Sequence, residues 1–313
     1  MRYKFEFFGK LLSELKIEIA RTLPKNDLAK LVESSKIHLK LFKPLLDVQK
    51  LLHHTVRGEH DAVQSMLKKD INLFFMKGRV TDCSGRTFEN ISAFEYTLWA
   101  LDKYMWEKML PCIPKTEKGK KILAELLFQY DEVNTNGVTY KFHGKPIREK
   151  HFDFKNTLIK ELQIQLDLLE TPEDDKNWDV IDKQWREGVG AAQKLLPMHV
   201  VHEYCSDEVF HPPLEFISQP KSSMQFHIGR SEKSENWFGI DSRLGINYAV
   251  YCGRPGLGGA RSPSAPAFRI PWIGENLTAV KTLCEIRTKD FINLRSNLEQ
   301  QTIIDALHRV YRK

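Results

Sequence analysis

The chain is poor in cysteine and has no dense cluster of it. Its five cysteines, Cys83, Cys112, Cys205, Cys252 and Cys284, are an odd number without a Cys-x-x-Cys pair. That pattern excludes a disulfide framework and reads as reduced thiols in a cytosol-like compartment. No stretch approaches the ~18–20 consecutive apolar residues of a membrane span. The opening "MRYKFEFFGKLLSELKIEIA" is interrupted by Glu6, Lys10 and Glu14 before an apolar run reaches signal-peptide length, so Sec-type export is not expected. Charge of one sign is also missing. The 47 basic and 41 acidic residues give a net charge of +6 spread along the chain, which permits an acidic partner without demanding one. No complete catalytic signature is present, and no cofactor is expected.

What is there is the composition of a soluble globular protein. Of 313 residues, 42% are hydrophobic and 28% charged, enough to bury a large core. Phe5, Phe8, Leu12, Leu15 and Ile19 recur at three- and four-residue intervals, predicting a first helix that packs this stripe on the domain. Membrane-surface attachment through residues 1–22 is the alternative use of the same stripe. A second helix follows Asn26 and Asp27, either of which could cap it.

"LLHHTVRGEHDAVQSML" (Leu51 to Leu67) and "AFEYTLWALDKYMWEKML" (Ala93 to Leu110) share one plan: a short apolar helix, a tight turn, and a second helix with its own apolar stripe. Between them, "DCSGRTFENIS" reads as a turn at Asp82, Gly85 and Thr87 leading into the next helix. Gly119 to Tyr130 is expected to be a capping helix. "TYKF" before His143-Gly144-Lys145 suggests a small hairpin. A helix is expected over Asn156 to Glu170. Thr171 and Pro172 then read as the start of a long helix carrying Trp178, Ile181, Trp185, Val189, Ala192 and Leu196, kinked at Pro197. Beyond Cys205, "MQFHI" (Met224 to Ile228) and "NYAVY" (Asn247 to Tyr251) suggest strands or extended loops, and the tail is helical again.

The stretch with most chemistry is "LPMHVVHEYC". His199, His202 and Cys205 fall at i, i+3 and i+6 of a helix, and Glu203 sits beside them. A metal would take His199, His202 and Cys205 with a fourth group such as His211 or His227, but the order is His-x-x-His-Glu rather than the His-Glu-x-x-His of helical zinc sites. A Cys205–His202 thiolate dyad is the nucleophilic reading. The preferred reading is a buried helix end, with no metal assigned and the catalytic residues left unknown. The glycine cluster "CGRPGLGGARS" (Cys252 to Ser262) could cradle phosphate beside Arg254 and Arg261. It lacks the Gly-Lys-Ser/Thr ending of a P-loop, and Pro263 and Pro266 oppose the helix that a dinucleotide fingerprint needs. No basic stripe interleaves with the tryptophans, so nucleic acid is not an expected partner.

The two helix-pair units resemble the ankyrin repeat, with Thr87-Phe88-Glu89-Asn90 where that repeat has Thr-Pro-Leu-His. Their starts, Leu51 and Ala93, stand about 42 residues apart, against roughly 33 in ankyrin units. Taken in order, "VRGEHDAVQSMLKKD", "VTDCSGRTFENISAFEYTLWALDKYMWEKML", "LPMHVVHEYC", "NWFGIDSRLGINYAVY" and "LTAVKTLCEIRTKDFINLRSNL" resemble an ankyrin-like module of secreted effector proteins of the Legionella type. That resemblance implies delivery into the host-cell cytoplasm by a type IV apparatus, a non-Sec route, and a role in virulence. It carries over no catalytic residue.

The expectation is a mainly α fold of ankyrin-like hairpins packed on further helices, with a small irregular or β patch in the C-terminal third. Residues 1–47 would be N-terminal helices, 48–135 the hairpins, and 136–313 a helical C-terminal region, joined in one continuous globular unit. The expected function is protein interaction or scaffolding, as a bacterial effector engaging a host protein through loop residues His53, Arg57, Glu59, Arg86 and Glu95. The competing class is an enzyme with a Cys/His or metal-assisted site around residues 199–227.

Overall fold

The computed structural model describes residues 8–208, 215–229, 231–252, 260–262 and 270–310. They are mostly helical, with two four-stranded sheets. The chain divides into two compact units: residues 1–99, 105–150 and 298–313 form the first, and residues 100–104 and 151–297 the second.

The first unit begins with helices α1 (Ser13–Arg21), α2 (Lys25–Glu33) and α3 (Lys36–Thr55). Ala20, Leu28, Val32, Phe42 and Leu46 form their shared core, with Phe8, Ile17 and Leu23 packed against it. The expected apolar stripe is corrected here. Phe5 lies outside the described residues, and residues 11 and 12 are not helical, so the helical period does not carry through from Phe8. The face of α1 that packs is Ile17 and Ala20, leaving Leu12, Leu15 and Ile19 at 69%, 50% and 43% exposure. Nor do Asn26 or Asp27 cap α2, which starts after Pro24. Asp27 instead sits in the first turn, where its charge complements the helix dipole. Ser35 caps α3, its Oγ accepting from His38 N at 3.1 Å.

Helix α4 (His60–Lys69) folds back on α3 through a turn in which Gly58 takes a φ of +69°. The chain then departs from the helix-pair plan. Strands β1 (Gly78–Thr81) and β2 (Thr87–Ile91) form an antiparallel hairpin around Asp82 and Gly85. Residues 87–91, expected to lead into a helix, are extended because Phe88 buries its ring among Tyr96, Trp99 and Tyr140, with centroids 5.4, 5.0 and 5.3 Å away. Ser92 then opens α5 (Ala93–Ala100) with a capping box. Ser92 Oγ accepts from Glu95 N at 3.0 Å, and Glu95 Oε2 accepts from Ser92 N at 2.9 Å.

Helices α6 (Lys103–Met109) and α7 (Glu117–Asn136) follow, the latter covering the expected capping helix. Strands β3 (Val138–Phe142) and β4 (Lys145–Glu149) make the expected hairpin, with φ of +48° at His143 and +77° at Gly144. The sheet order is β1-β2-β3-β4, which leaves β1 at an edge.

In the second unit, α8 (Lys160–Glu170) follows a π-helical turn over Lys155–Ile159. Thr171 and Pro172 do not start the next helix; they precede a short 3₁₀ turn, and Asn177 caps α9 (Trp178–Lys183) by accepting from Val180 N at 3.2 Å. The path continues through a π-helical segment, Gln184–Val189, into α10 (Gly190–Lys194). Pro197 does more than kink this helix. The helix stops at Lys194, and Pro197 becomes the N-cap residue of α11 (Met198–Tyr204).

The second sheet contains β5 (Gln225–Ile228), β6 (Lys233–Asn236), β7 (Tyr251–Cys252) and β8 (Ala260–Ser262) in the order β6-β5-β8-β7. Of the strand or extended loop expected over Asn247 to Tyr251, Tyr251 is in a strand, Tyr248 forms an isolated bridge with Leu244, and the residues between Tyr248 and Tyr251 are in no strand. The buried Gln193 supplies the missing pairing, donating Nε2–H to Val250 O at 2.6 Å and accepting from Val250 N at 2.9 Å. Helix α12 (Ile270–Val310) ends the described chain. The fold is therefore mainly helical with two small sheets, where the sequence suggested one small hairpin near residues 139–145 and a β patch in the C-terminal third.

Candidate functional site

The first unit holds a cavity of about 300 Å³ walled by the start of α2, the last turns of α3 and strand β1. Lys25, Arg57 and Arg79 line it, with His53, Gln49 and Thr81. Its placement follows from local folding: α2 begins at Lys25 because Pro24 fixes the chain there, and His53 is in the last turn of α3 while Arg57 lies in the turn just beyond it, where its side chain reaches back to His53. Arg57 Nη1 donates to His53 Nδ1 at 2.8 Å, which makes the imidazole neutral with its proton on Nε2. Burial, then Arg57 and Lys25, pulls the His53 pKa down to about 4. Burial, then the charges of Arg57 and Lys50, lowers Lys25 as well. These half-buried cations are thus close enough to oppose one another. Glu59, exposed at the N-cap of α4, is taken up by His54.

Arg86 and Glu95 lie elsewhere. Both were expected in exposed loops, and both are buried, at 3% and 6% exposure. Arg86 pairs with Asp82 at 3.2 Å and lies over the rings of Trp99 and Tyr140, 5.3 and 5.7 Å from their centroids. Glu95 closes the capping box and pairs with Lys77. Of the five expected contact residues, His53, Arg57 and Glu59 stay at the surface. Lys25 and Arg79 were missed because they come from separate segments that only the fold brings to the same cavity.

The stretch from His199 to Cys205 forms a buried network within the second unit. Glu203, 2% exposed, accepts from the Tyr104 hydroxyl at 2.5 Å, and Arg287, fully buried, lies 4.2 Å from the Tyr104 ring centroid. Arg287 Nη1 also donates to Phe216 O at 3.1 Å and Asp290 Oδ2 at 3.0 Å. Burial pushes Glu203 up to about 7 against the opposing influence of Tyr104 and Arg287. His199 is buried, its ring centroid 6.4 Å from that of Tyr104, and His202 is half-buried. Burial likewise pushes the Cys205 thiol upward, the opposite of what a thiolate nucleophile requires. Among the described residues no three His, Cys, Asp or Glu side chains are grouped to hold a metal ion. His211 and the glycines from Gly253 to Gly259, with Arg254, fall outside the described residues, whereas Arg261 and His227 face each other in register on β8 and β5.

No helix among the described residues is long and apolar enough to cross a membrane. A family model described as the CBUA0006 C-terminal domain matches residues 157–298. The uncharacterized protein CBUA0006 of Coxiella burnetii is 32% identical to the chain over 273 residues, taking in 80% of this chain and 75% of the relative. No solved structure matches.

Proposed function

The chain belongs to the family of the Coxiella burnetii protein CBUA0006, and from that premise we propose that it is a protein-interaction scaffold, a bacterial effector whose first unit grips an acidic segment of a host protein. The cationic cavity lies outside the span of the family model, so its role is read from its own geometry. One observation carries the reading: Lys25 and Arg57 are half-buried at one cavity, and among the described residues neither is in an ion pair. Partly desolvated cations that no carboxylate pairs directly raise the energy of the free protein; Glu59 offsets part of that cost from beyond ion-pair distance, and an acidic partner relieves the rest. The ankyrin-like part of the proposal is confined to the helix pair α3–α4 as a recognition surface, since every residue of α5 is buried. Delivery by a type IV route is supported by the ordered stretches that resemble secreted effectors.

One experiment addresses both parts. The tagged chain, produced in an intracellular bacterium with a type IV apparatus, is isolated from host cytosol with its bound proteins, beside a Lys25→Glu/Arg57→Glu variant. Wild type should arrive with partners, and the variant should arrive without them. Absence of wild type from the cytosol removes the delivery claim; equal partner recovery by the variant removes the cavity claim.

A further inference from the structure

We propose that the cavity at Lys25, Arg57 and Arg79 is a phosphoryl-binding pocket that receives a phosphorylated side chain from an extended partner segment. This rests on the reading that the same face binds a partner protein, and it adds the chemical group that the face selects.

Size narrows the ligand first. A volume of about 300 Å³ is at the lower limit for small-molecule sites, room for one phosphorylated side chain rather than a large cofactor. Charge narrows it further. Among the described residues that line the cavity there are three long cations and no carboxylate. Arg79 has a counter-charge in Glu89, its Nε 3.2 Å from the carboxylate, while among the described residues Lys25 and Arg57 are in no ion pair and Glu59, held by His54, acts on Lys25 only from beyond ion-pair distance.

The neighbouring cavity, of about 310 Å³, provides an internal comparison. It shares Gln49 and Arg79 with the first and adds Arg21 and Lys77, but Glu89 is in its wall. Arg21 is paired with Glu18, and Lys77 with Glu95. Positive charge is therefore balanced in one cavity and left over in the other.

The donors are of the right kind. A guanidinium and an ammonium give charge-assisted hydrogen bonds to phosphoryl oxygens, and neutral His53 offers an N–H without adding another charge to be desolvated. A dianion would also offset the mutual repulsion that lowers the Lys25 pKa.

One feature favours a peptide as the carrier. Arg79, Val80 and Thr81 of β1 form one wall, and among the described residues β1 has a neighbouring strand on one side only. An edge strand is where an extended segment can be ordered by main-chain pairing.

The test uses the full chain and four probes: inorganic phosphate, a degenerate peptide library centred on phosphoserine, a second centred on phosphotyrosine, and the unphosphorylated libraries. Fluorescence anisotropy should show one phosphopeptide library binding, with phosphate competing. Lys25→Met/Arg57→Met should weaken that binding by at least about tenfold, since it removes two charge-assisted contacts. Lys77→Met, in the neighbouring cavity, should change it less than about twofold. Phosphate binding without phosphopeptide binding would overturn the peptide carrier. Equal binding of phosphorylated and unphosphorylated libraries would overturn phosphoryl selection while leaving the acidic-partner reading intact. No binding by wild type, with its circular dichroism that of a folded chain, would overturn the pocket itself, and whether partners are then still captured from cytosol reports separately on the broader reading.

Discussion

At the scale of single residues, the buried charges of this protein carry more information than the exposed ones. Glu203 is the clearest case. Its carboxyl titrates near 4.5 when ordinary and near 7 when buried beside Tyr104, Arg287 and Glu208. Between those values the folded state binds more protons than the unfolded state, so the contribution of Glu203 to stability is fully present below pH 4.5 and is lost as pH rises through 7. A shift from 4.5 to 7 sets a ceiling of roughly 3 kcal/mol on that loss. Glu203→Gln keeps a carbonyl acceptor for Tyr104 and cannot ionise. Urea unfolding at pH 5 and pH 8 should therefore show a flatter pH dependence for the variant and greater stability than wild type at pH 8. Parallel pH profiles would mean that Glu203 does not titrate in this window. Glu203 is legible in the sequence as a chemistry-bearing residue, but its partners are not, because Tyr104 and Arg287 are far away in sequence. Arg86 and Glu95 are expected at the surface for a general reason, that charged side chains are seldom buried. Glu95 did have a local sign, since Ser92 precedes it by the three positions of a capping box.

At the scale of elements, what was legible is what is local. The α3–α4 hairpin, α7, the α8 region and the β3–β4 hairpin follow from periodicity and turn residues within one short window. The β1–β2 hairpin was not legible, because Thr87–Ile91 is held extended by pairing with β3 and by rings contributed from α5 and β3. The junction of α7 with β3 shows how narrowly such geometry is fixed. Gly137 sits there with φ +70° and ψ −175°, a conformation open essentially to glycine alone, and an added Cβ would stand 2.5 Å from Glu149 O. Gly144, in the hairpin turn, also has a positive φ, of +77°, but nothing lies within 4 Å of its would-be Cβ. Gly137→Ala should therefore cost about 2–3 kcal/mol from backbone strain and steric overlap together. Gly144→Ala should cost only about 1–2 kcal/mol from backbone strain. Chemical denaturation of the two variants checks the order, and equal losses would show that the contact with Glu149 relaxes freely.

At the scale of the whole molecule, the chain does not separate into two pieces at one cut. Residues 100–104 belong with the second unit although sequence on both sides of them belongs with the first. Their contribution is specific. Tyr104 donates to Glu203 and presents its ring to the buried Arg287, and Lys103 pairs with Asp290 at 3.2 Å. The family model begins at residue 157, after this segment, so the region it matches lacks a phenol that the buried guanidinium and carboxyl both use. A fragment of residues 151–313 would leave Arg287 without its aromatic face and Glu203 without its donor. A desolvated cation–π contact and a hydrogen bond to a charged group are together worth on the order of 4 kcal/mol, a large share of a typical domain's stability. The fragment should therefore unfold at lower urea concentration and with a broader transition than the same region in the intact chain, as followed by the fluorescence of its buried Trp237. Excess synthetic peptide covering residues 98–109 should restore part of the transition, and the same peptide with Tyr104→Ala should not. If fragment and intact chain unfold alike with or without peptide, the borrowed segment is a passenger. If only the wild-type peptide rescues, the second unit is completed by five residues that neither its continuous sequence nor the span of the family model contains.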